Sequence, residues 1–214
     1  MAERKLNVIL DLDQTLLSAE NYEYFVKGHR KSRKKYINRY NETKSSFDKV
    51  VMDKDYIVFL RPGVQDFLDN LFENYNVSVW TAASKNYATF IIENIILLKD
   101  KPERSLDYVF FAYHCDISMD KTDNTKDLSI LWEEFELDGY NKDNTIIIDD
   151  YEEVKDTQPD NCINIKPFQF IEEKSEDDKE LKKVLKRVEK IKKYGIKTNG
   201  NKKKYVLNSK KVSS

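Results

Sequence analysis

Two apolar runs in this chain stop at paired carboxylates, and that arrangement restricts the fold more than any other feature of the sequence. Leu6 to Leu10 (LNVIL) leads straight into Asp11 and Asp13 of DLDQT, and the run in NTIIIDD ends on Asp149 and Asp150. An unbroken apolar run of this length marks a strand buried on both faces in a parallel sheet. Side chains alternate along a strand, so Asp11 and Asp13 share one side of the chain where the strand gives way to loop. Open α/β sheets bind ligands beyond the carboxyl ends of their strands. Carboxylates held close repel, and one is hard to ionise unless a hard cation such as Mg²⁺ lies between them. Paired acids also arise by chance in an acid-rich chain, or cap helices. Their joint occurrence at two strand ends favours a site.

The remaining elements fit the same plan. Tyr56 to Leu60 reads as another strand, and RPGVQDFLDNLFENY after it as a helix. Pro62 suits the first turn of that helix, and Val64, Phe67, Leu68, Leu71 and Phe72 form its apolar face. Residues 76–80 (NVSVW) read as a strand, 84–98 as a helix, 107–111 as a strand, 125–135 as a helix, 144–150 as a strand and 161–165 as a short final strand. Such alternation predicts a doubly wound, mainly parallel, Rossmann-like α/β sheet with helices on both faces.

Two segments depart from it. Residues 18–55 are polar, aromatic-studded and locally basic, with Lys27, Arg30, Lys31, Arg33, Lys34 and Lys35, and read as a flap inserted after the first strand. SEDDKELKKVLKRVEKIKKYG reads as a helix capped by Ser175, with Asp178 three residues on. From Gly195 onward there are six lysines and no acid, the pattern of a mobile tail. The expected organisation is one domain over 1–194, with its insertion at about 18–55, and a tail over 195–214.

Composition closes off other classes. Lys and Arg number 37 against 38 Asp and Glu, so overall charge names no polyanionic partner, although the basic loop and tail leave nucleic acid open. The N-terminus MAERKLNVIL is too short an apolar stretch for a signal peptide, and no run reaches membrane-spanning length. An intracellular protein of nucleus or cytoplasm is expected. Cys115 and Cys162 stand outside any CxxC pair, which argues against a disulfide framework or a structural zinc. His29 and His114 read as ordinary surface or boundary residues.

Parts for phosphate chemistry follow in order. Thr81 succeeds NVSVW at a turn into a helix, where its hydroxyl and the N–H groups of Ala82 and Ala83 suit phosphoryl oxygens. Lys126 in NTKDLSIL offers an ammonium, with Lys121 as a nearby rival. A lone threonine there is commonly just a cap, and a lone lysine commonly surface.

With these residues the chain resembles a known family. DLDQT, WTAAS, TKDLSIL and IIIDDYE match, in order, the four motifs of the haloacid dehalogenase superfamily. More closely they are similar to its NLI-interacting-factor-like branch, the phosphoserine/phosphothreonine phosphatases of the RNA polymerase II C-terminal domain (CTD). LRPGVQDFL, SKNYA and QPDNCINI support the narrower match. DLDQT and Asp149-Asp150 look like the transcription-factor-associated CTD phosphatase, whereas TAASKNYA looks like the small CTD phosphatases. Residues 18–55 match neither group.

The resemblance implies a haloacid dehalogenase fold and a Mg²⁺-dependent phosphatase. It casts Asp11 as nucleophile forming an aspartyl-phosphate and Asp13 as acid and base. Thr81 and Lys126 would neutralise phosphoryl oxygens, and Asp11, Asp13, Asp149 and Asp150 would hold the metal. Thr15, Ala82 and Arg61 become candidate substrate contacts. The expected substrate is a phosphoprotein or phosphopeptide. Alternatives are a nucleic-acid-end or small-molecule phosphatase of the same superfamily, or a non-catalytic scaffold. In the flap, Tyr22, Tyr24, Phe25, Tyr36 and Tyr40 suit stacking on a peptide, or closure of the flap onto the core.

Overall fold

A computed structural model describes residues 5–26 and 31–196. Lys27, Arg30 and the lysine-rich tail from residue 197 lie outside the described residues, as do the side chains of Lys31 and Arg33.

The strand β1 (Asn7–Leu10) is followed by β2 (Leu17–Asn21), α1 (Glu23–Val26), α2 (Lys31–Thr43), β3 (Lys49–Met52) and β4 (Tyr56–Leu60). Next come α3 (Val64–Asn74), β5 (Asn76–Trp80), α4 (Lys85–Ile91) with a π-helical continuation over Ile92–Ile96, β6 (Val109–Phe110) and α5 (Ala112–Thr122). The chain then forms α6 (Ser129–Glu133), β7 (Thr145–Asp149), α7 (Glu152–Thr157), β8 (Cys162–Asn164) and α8 (Glu180–Tyr194).

Five strands make a wholly parallel sheet in the order β6-β5-β1-β7-β8. The chain winds outward from β1 through β5 to β6, then returns to the other side of β1 for β7 and β8. The reversal falls between β1 and β7, where such a sheet leaves its crevice. Leu10 lies level with Val79 on one side and Ile148 on the other, so the strand ends meet at one edge.

Both faces are covered. Val8 and Leu10 pack with Phe67 and Leu68 of α3, Ile91 of α4, and Leu181, Val184 and Val188 of α8. Ile9, pointing the other way, packs with Cys115 of α5, Ile130 and Leu131 of α6, and Val154 of α7. The doubly wound sheet is thus present, with the expected alternation of faces. Among the described residues, no helix is long and apolar enough to cross a membrane.

Tyr56 to Leu60 has a different place from the one its apolar run suggests. It is the centre of a separate antiparallel sheet, β2-β4-β3, with Leu17 opposite Leu60 and Lys49 opposite Phe59. Val58 and Leu60 face the main core, while Ile57 and Phe59 face a second cluster with Phe47, Phe168 and Phe170. The rings of Phe59 and Phe170 stack at 3.6 Å between centroids. Tyr22, Phe25 and Tyr40 pack on this cluster, so these flap aromatics close the insertion onto the core. Tyr24 and Tyr36 pair with each other at 4.9 Å. Arg39 of α2 ties the insertion to the C-terminal segment through the Phe170 carbonyl, Ser175 and Glu176.

Ser175 does not cap α8. It lies in a 3₁₀ turn over Ser175–Asp177 and donates its hydroxyl to the Phe170 carbonyl at 3.0 Å. Asp178 accepts the Glu180 N–H at 2.9 Å instead. The helices α5 and α7 stand where apolar periodicity carries no helical expectation.

Candidate active site

The loop after β1 carries the first carboxylates. The N–H of Asp11 donates to the Ile148 carbonyl at 3.0 Å, extending the β1–β7 ladder past the strand and fixing Asp11 beside β7. A turn closes behind it, with the Leu16 N–H donating to the Leu12 carbonyl at 2.8 Å and Gln14 in the left-handed region at φ 59°. Asp149 ends β7, buried, and its Oδ1 accepts the Tyr151 N–H at 2.8 Å.

Lys126 joins these two strand ends. Its Nζ lies 2.6 Å from Asp11 Oδ1 and 2.7 Å from Asp149 Oδ2, with all three side chains buried. Lys126 precedes α6 rather than beginning it, and its backbone is left-handed at φ 54°. That costly conformation is held by Gln158, whose Nε2 donates to the Lys126 carbonyl at 2.8 Å and whose Oε1 accepts the Leu128 N–H at 2.9 Å. Lys121 lies apart, on α5, paired with Glu134 at 2.7 Å.

Burial pushes the Asp11 carboxyl up to about 7, opposed by Lys126 and reinforced by Asp149 and Asp150. Burial alone would lower the Lys126 ammonium, but the Asp11 and Asp149 carboxylates outweigh it and hold it above the usual lysine value. Asp13 is raised by burial, against a hydrogen bond from the Tyr87 hydroxyl to its Oδ1 at 2.6 Å. Asp150 is raised by burial and by its neighbour Asp149.

The expected residues divide into those that converge and those that do not. Asp11, Asp149 and Asp150 offer carboxylate oxygens within 4.8 Å of one another, a donor set suited to a hard cation. Thr81 is buried, and its Oγ1 accepts the Ala83 N–H at 3.0 Å, so that amide is already used. The exposed Ala82 makes no backbone hydrogen bond with its N–H among the described residues. Thr15, expected against substrate, is fully buried and directs its hydroxyl to Asp150 Oδ1 at 3.4 Å.

Arg61, also expected against substrate, is engaged within the fold. Its guanidinium is buried and donates to both oxygens of Asp178 (3.0 and 2.9 Å) and to the carbonyls of Gln14 (3.3 Å), Thr15 (3.0 Å) and Lys166 (2.8 Å). It ties the loop after β1 to Lys166 and Asp178, with its donors engaged inside the fold. Sequence reasoning assigned no role to Tyr87 and Gln158. Each lies inside a stretch that carried the family resemblance, SKNYA and QPDNCINI, and that was the available signal.

A cleft of about 520 Å³ opens beside Asp13, lined also by Ala19, Met52, Asp55, Tyr56, Ala83, Ser84, Asn86 and Tyr87. Tyr56 and Tyr87 meet edge to face at 5.6 Å along it. Among the described residues its lining contains two carboxylates and neither lysine nor arginine.

Comparison with known proteins supplies relatives. The model of the NLI interacting factor-like phosphatase family matches residues 6–198. A CTD phosphatase-like protein, 355R of Invertebrate iridescent virus 6, is 46% identical over 181 residues, covering 83% of this chain and 94% of that one. The 355R protein of Invertebrate iridescent virus 3 is 36% identical over 193 residues, 88% of this chain and 98% of that one. Among solved structures, Fcp1, an essential RNA polymerase II CTD phosphatase, aligns with a TM-score of 0.54 at 19% identity. That alignment covers 86% of this chain, which spans half the length of the Fcp1 chain.

Proposed function

This chain belongs to the NLI interacting factor-like phosphatase family, and from that membership we propose that it hydrolyses phosphoserine and phosphothreonine in protein segments through an aspartyl-phosphate. One observation carries the reading. Lys126 bridges Asp11 and Asp149 at the point where the sheet reverses direction, with Asp13 held by Tyr87 next to the cleft. Nucleophile, proton donor and charge neutraliser stand together. The catalytic unit is read as residues 1–194, with the small antiparallel sheet as its insertion.

Asp11 attacks phosphorus in line, and the bond to the serine or threonine oxygen breaks as the aspartyl-phosphate forms. Asp13, its carboxyl raised by burial, is poised to protonate that leaving oxygen. In the second half it takes a proton from the water that cleaves the acyl-phosphate. Lys126, Thr81 and the Ala82 N–H stabilise the equatorial oxygens as charge develops. Asp11, Asp149 and Asp150, with the Asp13 carbonyl, would hold Mg²⁺, which supplies positive charge to offset repulsion between carboxylate and phosphate.

The absence of lysine and arginine from the cleft lining favours a peptide over a nucleic-acid end. Keeping Asp11, Asp13, Thr81, Lys126 and Asp150 together argues against a scaffold. The test is a panel of phosphopeptides beside 5′- and 3′-phosphorylated oligonucleotides and an aryl phosphate. Phosphopeptide turnover should exceed that of the oligonucleotides, vanish with a chelator and return with Mg²⁺. Higher activity on oligonucleotides would replace the protein-phosphatase reading, and chelator-resistant turnover would remove the metal from it.

A further inference from the structure

Charge is segregated in this protein, and α8 holds much of the positive share. The whole chain has a formal net charge of −1, yet the 15 residues of α8 carry seven lysines and arginines against Glu180 and Glu189. Its two sides differ sharply. Leu181, Val184 and Val188 are buried in the main core, whereas Lys182, Lys186, Lys190 and Lys193 are exposed along the opposite side.

Some cations elsewhere are paired, as with Lys101 and Arg104 on Asp69 and Lys121 on Glu134. Lys182, Lys186 and Lys190 form no hydrogen bond or ion pair among the described residues. They also repeat at i, i+4, the spacing at which like charges repel on a helix. One acid, Glu189, shares this exposed side, and four lysines outnumber it.

We infer that this face of α8 is a docking surface for the phosphate backbone of nucleic acid, separate from the catalytic cleft. From Lys182 to Lys193 the row rises about 16 Å, which matches the axial rise of about five phosphates on one strand. The sequence past Gly195 adds six lysines and no acid to the same end of the chain. A membrane surface fits poorly, because an interfacial helix needs a free apolar face and that of α8 is spent on the core.

The helix also leads away from the chemistry. Near its end, Lys192 donates to Asn74 Oδ1 at 3.3 Å and lies over the Tyr75 ring, just before β5 begins and at the sheet edge opposite Asp11. A nucleic acid held there leaves the cleft open, and the bound enzyme acts on phosphoproteins gathered on the same nucleic acid. The surface does not depend on which phosphoester the cleft takes.

The experiment uses the full chain and a fluorescein-labelled 20-base-pair duplex without terminal phosphates, followed by anisotropy from 50 to 200 mM salt. The wild type should bind with an affinity that falls steeply with salt. Combining Lys182→Gln, Lys186→Gln, Lys190→Gln and Lys193→Gln should weaken binding at least tenfold. The salt slope should flatten by about three, at roughly 0.9 per lost phosphate contact. Aryl phosphate turnover should not change, and the same four positions as arginine should restore binding. No wild-type binding, a glutamine variant that binds as well as wild type, or failure of the arginine variant would each overturn the inference. So would preference for phosphatidylserine vesicles over the duplex.

Discussion

Lys126 and Arg61 are both buried cations, both tied to carboxylates, and both in contact with the loop at residues 11–16 or the acid that begins it. Their donors are spent differently. Arg61 has five N–H groups, and Asp178 with three backbone carbonyls accounts for all five. Lys126 has three, and Asp11 and Asp149 account for two. The spare donor on Lys126 lies beside Asp11 and Asp149, two of the three carboxylates whose oxygens suit a hard cation. On the proposed mechanism, the buried cation with a donor left over serves the phosphoryl group, and the one with none serves the fold.

The largest expected effect lies on the ligand side of this contrast. Asp11→Asn should lower aryl phosphate turnover on the order of 10⁴-fold or more, because an amide does not attack phosphorus, while circular dichroism shows a folded protein. Retention of most of the activity would break the assignment of Asp11.

Arg61→Ala comes next and should act on stability. It strands a mostly buried Asp178 carboxylate and three carbonyls, at a cost of about 3–5 kcal/mol read from the urea midpoint. An unchanged midpoint with a raised KM would mean that Arg61 touches substrate after all.

Lys126→Ala should reduce kcat about 10²-fold or more in protein that is still folded. Lys121→Ala is the matched control, expected to leave kcat and stability unchanged, since its pair with Glu134 is exposed. The reverse outcome for the two lysines would show that Lys121 supplies the ammonium.

The sequence displayed one side of this contrast and hid the other. Acids at the ends of β1 and β7 announce themselves because an apolar strand followed by charge has few structural uses. Arg61 gave no such sign, since its partner Asp178 is 117 residues away and nothing local records the pairing. Thr15 likewise has a distant partner, its hydroxyl being turned to Asp150.

The parallel strands were legible as apolar runs. β4 shows the limit of that signal: buried between two clusters, it reads like a central parallel strand although its neighbours run antiparallel. A strand covered on both faces records its burial and not its direction. The helices α5 and α7 escaped for lack of an apolar stripe. Cys115 and Ser118 are the buried positions of the first, and Val154 that of the second.

The aromatic cluster beneath the insertion has a kinetic consequence. Phe47 and Phe59 interlock there with Phe168 and Phe170, and Arg39 pins α2 to the C-terminal segment. The described part of the insertion, fastened in this way, is a wall and not a lid. Substrate entry and product release then need no opening step, and turnover should be insensitive to solvent viscosity until it nears the diffusion limit. A cleft of fixed width also sorts its substrates by backbone freedom. For the proposed phosphoprotein reaction this predicts faster turnover of phosphoresidues on pliant, extended segments than of those fixed on the surface of a folded domain.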